Sequence, residues 1–173
     1  MSESSRDALI GTTRHVGNAW SPVAQVRREA PLVEGEDVIA ETRVARARPW
    51  PGSTRLGHMR LTNQRLTALF NAGVGGNTLT DIPRYAVLDV EDRVDHLAVR
   101  YRAAKGEEEL EFGAGNRPRI FTRWWHTVVP LLRSDPGSNH AWLELIAAWI
   151  ASQSPGDLPR LHPRGTNGPH LRM

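Results

Sequence analysis

The clearest alternation of apolar and polar positions runs from Leu56 to Phe70, LGHMRLTNQRLTALF. Met59 and Leu61 alternate with His58 and Arg60, Thr62-Asn63-Gln64 interrupts, and Leu66, Ala68 and Phe70 then alternate with Arg65, Thr67 and Leu69. A period of two broken by a short polar turn predicts a β-hairpin. Upstream, Val38, Ala40, Thr42 and Val44 share one face of a strand over 38–47, with Glu41, Arg43 and Ala45 on the other. Pro49 and Pro51 end it, because proline cannot donate to a central ladder. Asn71 to Thr80 is rich in glycine and asparagine and predicts a loop. Residues 82–94 resume strand character, with Leu88 and Val90 inward and Asp89 and Glu91 outward. Residues 97–102 and 107–112 predict a second hairpin turning at Lys105-Gly106. That register sets Tyr101 opposite Leu110 and Val99 opposite Phe112 on a buried face, and Arg102 opposite Glu109 and Arg100 opposite Glu111 on a wet one.

Helical spacing appears in three places. Ser21 as N-cap and Pro22 at the first helical position, followed by Val23, Val26 and Ala30, predict a short helix that Pro31 stops. Asn116 and Pro118 open a second, on which Ile120, Trp124 and Val128 recur at i, i+4 and i+8, widened by Phe121, Trp125 and Leu132. Such a stripe is suited to covering an apolar sheet face, and Pro130 ends or kinks it. After the turn residues Asp135-Pro136-Gly137-Ser138, a last helix is predicted over 139–153, apolar almost all round. Trp142, Ile146 and Trp149 line one face and Leu143, Ala147 and Ile150 another. A helix of this kind is either buried on several sides or shared with a partner. Both readings stand: docking onto the chain's own sheet, or a protein interface formed by Trp142, Ile146 and Trp149 with a second copy or a different protein.

The hairpin, with Glu34-Gly35-Glu36-Asp37-Val38 before it, Leu61-Thr62-Asn63-Gln64-Arg65-Leu66 at its turn and Asp81-Ile82-Pro83 after it, resembles the GRAM and bacterial pleckstrin-homology-like (PH-like) domains. The resemblance spans about residues 32–132. It implies an α+β, mainly β fold: a strongly bent antiparallel sheet or barrel of six to seven strands capped by a C-terminal helix, here with an additional C-terminal helix. The chain then divides into a flexible N-terminus (1–19), a PH-like domain with a short leading helix (20–133), the additional helix (134–153) and a disordered proline-rich tail (154–173).

Composition narrows the chemistry. The absence of cysteine excludes disulfides and thiolate metal sites. No run approaches the roughly 18 apolar residues of a membrane span, and the polar N-terminus is no secretory signal, so a cytoplasmic location is expected. Twenty-one arginines stand against the single Lys105, a bias typical of a GC-rich bacterial genome and weak evidence for nucleic-acid binding. The seven histidines, at 15, 58, 96, 126, 140, 162 and 170, form no His-x-x-His pair and adjoin no Gly-x-Ser-x-Gly nucleophile motif. His58 and His96 are expected to face solvent. A metal site needs three or four converging ligands, and residues 71–80 lack the Gly-Lys-Ser/Thr ending of a phosphate loop. Asp89, Glu91, Asp92 and Asp95 read as a solvated sheet edge. No catalytic residue, metal or cofactor is therefore expected.

Arg46, Arg48, Arg55 and Arg60, with Arg43 nearby, flank Trp50 in the first hairpin's loop. They form either an ordinary solvated face or a site for anionic lipid headgroups, as the family resemblance implies, with Trp50 at the lipid interface. The expected function is a non-catalytic binding or adaptor module that mediates protein–protein interaction or assembly in the bacterial cytosol. The alternative is a peripheral module binding anionic lipid through the arginine-rich loop at the inner face of the membrane.

Overall fold

The computed structural model describes residues 10–19, 21–47, 54–71, 76–93, 96–114 and 136–152. The elements are β1 (Thr12–Val16), α1 (Pro22–Glu29), β2 (Val38–Ala47), β3 (Thr54–Thr62), β4 (Arg65–Asn71), β5 (Asn77–Pro83), a 3-10 turn (Arg84–Ala86), β6 (Val87–Arg93), β7 (His96–Ala103), β8 (Gly106–Ala114) and α2 (Pro136–Ala151). The expected covering helix from Asn116 to Leu132, the loop holding Arg48 and Trp50, and the tail all lie outside the described residues.

The expectation of a PH-like barrel of six to seven strands is corrected. Eight strands form one open antiparallel sheet in the order β1-β5-β4-β3-β2-β8-β7-β6. Two features oppose closure. Among the described residues, the two halves of the sheet are joined as neighbouring strands by just two residue pairs of β2 and β8, Val44 with Ala114 and Ala45 with Gly113. The far edge strand, β1, reaches β7 through a single parallel bridge between Gly11 and Ala103 and leaves β6 as the other edge. β1 itself was not expected. It pairs with β5 from Thr12–Asp81 to Val16–Asn77, so part of the segment read as flexible is strand. The segment read as a loop from Asn71 to Thr80 is likewise shorter, because β4 and β5 remain paired out to Asn71 and Asn77.

One core runs through both halves of the sheet. Met59 and Leu61 on β3, Leu66, Ala68 and Phe70 on β4, Leu97 and Val99 on β7, and Leu110 and Phe112 on β8 belong to it. Gly57 lets β3 and β4 approach closely: a Cβ there would lie 1.8 Å from the Leu69 carbonyl oxygen. The β7–β8 hairpin turns through Ala104-Lys105, one residue earlier than expected, with Ala103 opposite Gly106 at a φ of +127° that favours glycine. Val99 therefore faces Leu110, Tyr101 faces Glu108 and Arg100 faces Glu109. The slip is two residues, and because side chains alternate with period two it leaves each on its expected face. On the wet face Arg93 joins Glu91, Glu109 and Glu111, and Arg100 bridges to Asp89, as a charge-balanced exterior.

α2 is part of this core and not an appendage. Trp142, Leu145, Ile146 and Trp149 are all buried in it, with Leu143, Ala148 and Ile150 packed at its margin. His140, Glu144, Ala147 and Ala151 make the exposed stripe, at the i, i+4, i+7 and i+11 spacing of one helix face. The Asn139 side chain fixes the helix to the sheet by accepting a hydrogen bond from the Ala114 amide (2.8 Å). The helix also starts earlier than expected, with Pro136 in its first turn. The reading of Trp142, Ile146 and Trp149 as a face for another chain is thus corrected: they are filled contacts of the monomer's own interior.

Candidate interaction surface

Over the β3–β4 hairpin the outer face of the sheet is expected to be wet, and α1 covers it there instead. Ser21 caps α1 by accepting from the Ala24 amide (3.2 Å). Val26 and Ala30 pack with Val16, Leu69 and Leu79 in a second apolar cluster. Gln25 is buried in the same layer, donating to the Gly17 carbonyl and accepting from the Asn77 side chain. Covering this face buries His58, Arg60 and Thr67 and half-buries Glu41 and Asp81, while Arg43 stays exposed. Glu41, Arg60, Thr67 and Asp81 follow one another in register across β2, β3, β4 and β5, and Arg43, His58, Leu69 and Leu79 form the next row.

His58 and Arg60 are therefore not solvent-facing. His58 is buried, with Nε2 3.7 Å from a Glu41 carboxylate oxygen, too long for a hydrogen bond. Arg60 is 1% exposed and donates to the Ala30 carbonyl beneath the end of α1. Burial, and then the Arg65 charge, push the Arg60 guanidinium below its ordinary value, while Glu36, Glu41 and Asp81 oppose them. This placement removes Arg60 from the candidate lipid loop. Arg46 and Arg55 stand opposite each other in the β2–β3 register. Arg48 and Trp50 lie outside the described residues.

The strongest polar contacts bind the 31–37 segment to the β3–β4 turn. The Glu36 carboxylate accepts from Arg65 Nε (2.8 Å) and a terminal nitrogen of Arg65 (3.0 Å), from the Thr62 hydroxyl (2.7 Å) and from the Val33 amide (2.9 Å). Burial pushes this carboxyl up, but the Arg65, Val33 and Thr62 hydrogen bonds outweigh it and hold the group below its ordinary 4.5. Arg65 reaches on to Asp81 (2.8 Å) and to the Pro31 carbonyl (2.6 Å). Asn63 adds an exchange with the same segment, accepting from the Asp37 amide and donating to the Gly35 carbonyl. The Arg84 amide donates to Gln64 O, which brings the 3-10 turn to the same end of the sheet.

This framework holds four large apolar side chains in solvent. Leu32 is 47% exposed, Val33 54%, Val38 40% and Tyr85 73%, and the fifth such residue, Leu56, stands far along β3 from them. Leu32, Val33 and Val38 belong to the segment clamped by Glu36 and Arg65, Val38 pairs with Thr62, and Tyr85 follows Arg84. All four border one turn. Scattered exposed apolar residues are ordinary, whereas a gathered set marks an interaction site. Sequence periodicity could not find it, because Leu32 and Val33 lie outside any strand or helix, Tyr85 sits in the 3-10 turn and Val38 is only the first residue of β2.

The buried polar layer offers little chemistry. Its one fully enclosed carboxylate is already occupied by four donors, and no group of three or more His, Asp or Glu side chains among the described residues could hold a metal ion. No helix among the described residues is long and apolar enough to cross a membrane. No protein-family model matches the chain, and no curated protein sequence matches it.

Proposed function

We propose that this protein is a non-catalytic interaction module that docks a protein partner at the β3–β4 turn end of its sheet. The observation that carries this reading is the gathering in solvent of Leu32, Val33 and Val38, on a segment held by the buried Glu36–Arg65 pair, with Tyr85 on the 3-10 turn that Arg84 ties to Gln64. A surface prepared in this way loses little conformational entropy on binding, so more of its contact energy appears as affinity. Replacing Val33 and Tyr85 together with serine should change stability by no more than about 0.5 kcal/mol, as for exposed positions elsewhere. The same double variant should lose a protein that co-purifies with the wild type from its native host. An unchanged set of co-purifying proteins would contradict the reading.

A second reading has one specific observation in its favour. The β2–β3 register pairs Arg46 with Arg55, which brings two arginines of the candidate loop to the same end of that hairpin. On this reading the β2–β3 end binds anionic lipid headgroups. Wild-type protein should co-sediment with anionic but not neutral vesicles at low salt, and Arg46→Glu should release it. Each arginine near an anionic surface is worth about 1 kcal/mol. Wild-type protein that ignores anionic vesicles would remove this reading and leave the first untouched.

A further inference from the structure

From the charges around the exposed apolar end, we infer that the partner segment it accepts is cationic as well as apolar. The inference rests on the interaction-module reading and specifies the chemistry of its partner. Glu34 and Asp37 are exposed and flank Leu32, Val33 and Val38 in the chain. Neither carboxylate takes part in an ion pair or side-chain hydrogen bond among the described residues, in contrast to Glu29, Glu36, Glu41, Asp81 and Glu109, each of which has a cationic or histidine neighbour. Arg65 and Arg84 at this end are withdrawn from the surface, and the exposed Arg27 and Arg28 on the last turn of α1 are paired with Glu41 and Glu29. Arg65 is spent on Glu36, Asp81 and the Pro31 carbonyl, and Arg84 is 8% exposed.

Among the described residues, the end of the sheet therefore presents apolar side chains beside two carboxylates, Glu34 and Asp37, that no cation pairs. Charges of this kind at an interface rim steer association and select against partners of like sign. An acidic segment, or the anionic surface of a membrane, would meet Glu34 and Asp37 first and be repelled. A segment alternating lysine or arginine with aliphatic residues would satisfy both features: its apolar side chains cover Leu32, Val33, Val38 and Tyr85 while its cations reach the two carboxylates. The clamp matters here as well. Gly35, at a φ of +75°, turns the chain between Glu34 and Glu36, and Asn63 holds its carbonyl and the Asp37 amide, so the two rim carboxylates are presented from a fixed backbone.

The test uses the full chain, isotope-labelled for backbone amide NMR, and two defined probes: a short peptide alternating lysine and leucine, and its counterpart alternating glutamate and leucine. The lysine peptide is expected to shift amides of residues 32–38, 63–64 and 84–86, and the glutamate peptide to leave them in place. Glu34→Lys combined with Asp37→Lys should weaken the lysine peptide about tenfold, the combined effect of reversing two exposed charges, with an unchanged melting temperature. The effect should shrink at high salt. Shifts from the lysine peptide that fall elsewhere on the molecule, no shifts at all, or equal binding by the charge-reversed variant would each overturn the inference. Binding of the glutamate peptide at these same residues would overturn the cationic assignment while supporting the docking surface. The interaction-module reading fails separately, when Val33→Ser with Tyr85→Ser leaves co-purification unaltered.

Discussion

Replacing Trp142 and Trp149 together with serine is expected to abolish cooperative melting, not to release an assembled partner from a folded monomer. Both side chains are buried, Trp149 completely, in the cluster that joins α2 to β3, β4, β7 and β8. Truncating a buried tryptophan costs about 3–5 kcal/mol from lost transfer energy and the cavity left behind. Two such losses, two turns apart on one buried helix face, approach the whole stability of an ordinary domain, about 5–15 kcal/mol. Circular dichroism on heating, with light scattering on the same sample, checks this. A double variant that melts cooperatively near the wild-type temperature, at lower assembled mass, would show that α2 serves an interface.

The second large effect is expected at Glu36. Glu36→Ala should destabilise the chain by about 3 kcal/mol, the lower end for breaking a buried pair, because Asp81 still holds the Arg65 guanidinium. The pH dependence follows from the same group. Its carboxyl titrates below the ordinary 4.5 in the folded chain, so the unfolded chain binds its proton first as pH falls. The Glu36 contribution is therefore complete above the unfolded value and is lost as pH drops through the folded one. Urea melts between neutral pH and pH about 3 should show stability falling across that acid range, and Glu36→Gln should flatten part of the fall. Equal slopes in wild type and Glu36→Gln would mean that the pair contributes no pH-dependent stability.

The parts of the fold legible in the sequence are those set by local rules. The cap and proline of α1, the span of β2 and the hairpin of β3 and β4 match their expected positions because capping chemistry, period-two alternation and turn residues act over a few neighbouring residues. β1 escaped because its residues, Thr-Thr-Arg-His-Val, are exposed except at Val16 and carry no alternation. Its place is set by pairing with β5, more than sixty residues away. His58 and Arg60 alternate as a wet face would, and only the distant α1 makes that face an interior. α2 illustrates the opposite problem. An apolar surface all round says that the helix is buried, but whether by its own sheet or by a partner depends on topology that no spacing encodes. The exposed apolar end was invisible for the same reason, since hydrogen bonds from Glu36, Asn63 and Arg84 gather its residues from separate segments.

On this reading the β3–β4 turn end, and not α2, meets a partner. The most direct measurement is site-specific photocross-linking in the native host, with a photoreactive amino acid in place of the exposed Tyr85 and, as control, of the exposed Glu107 on β8. A discrete protein adduct is expected from position 85, absent from position 107 and lost when Val33 is changed to serine. The same adducts from both positions, or none from position 85 while the protein is folded and abundant, would contradict it.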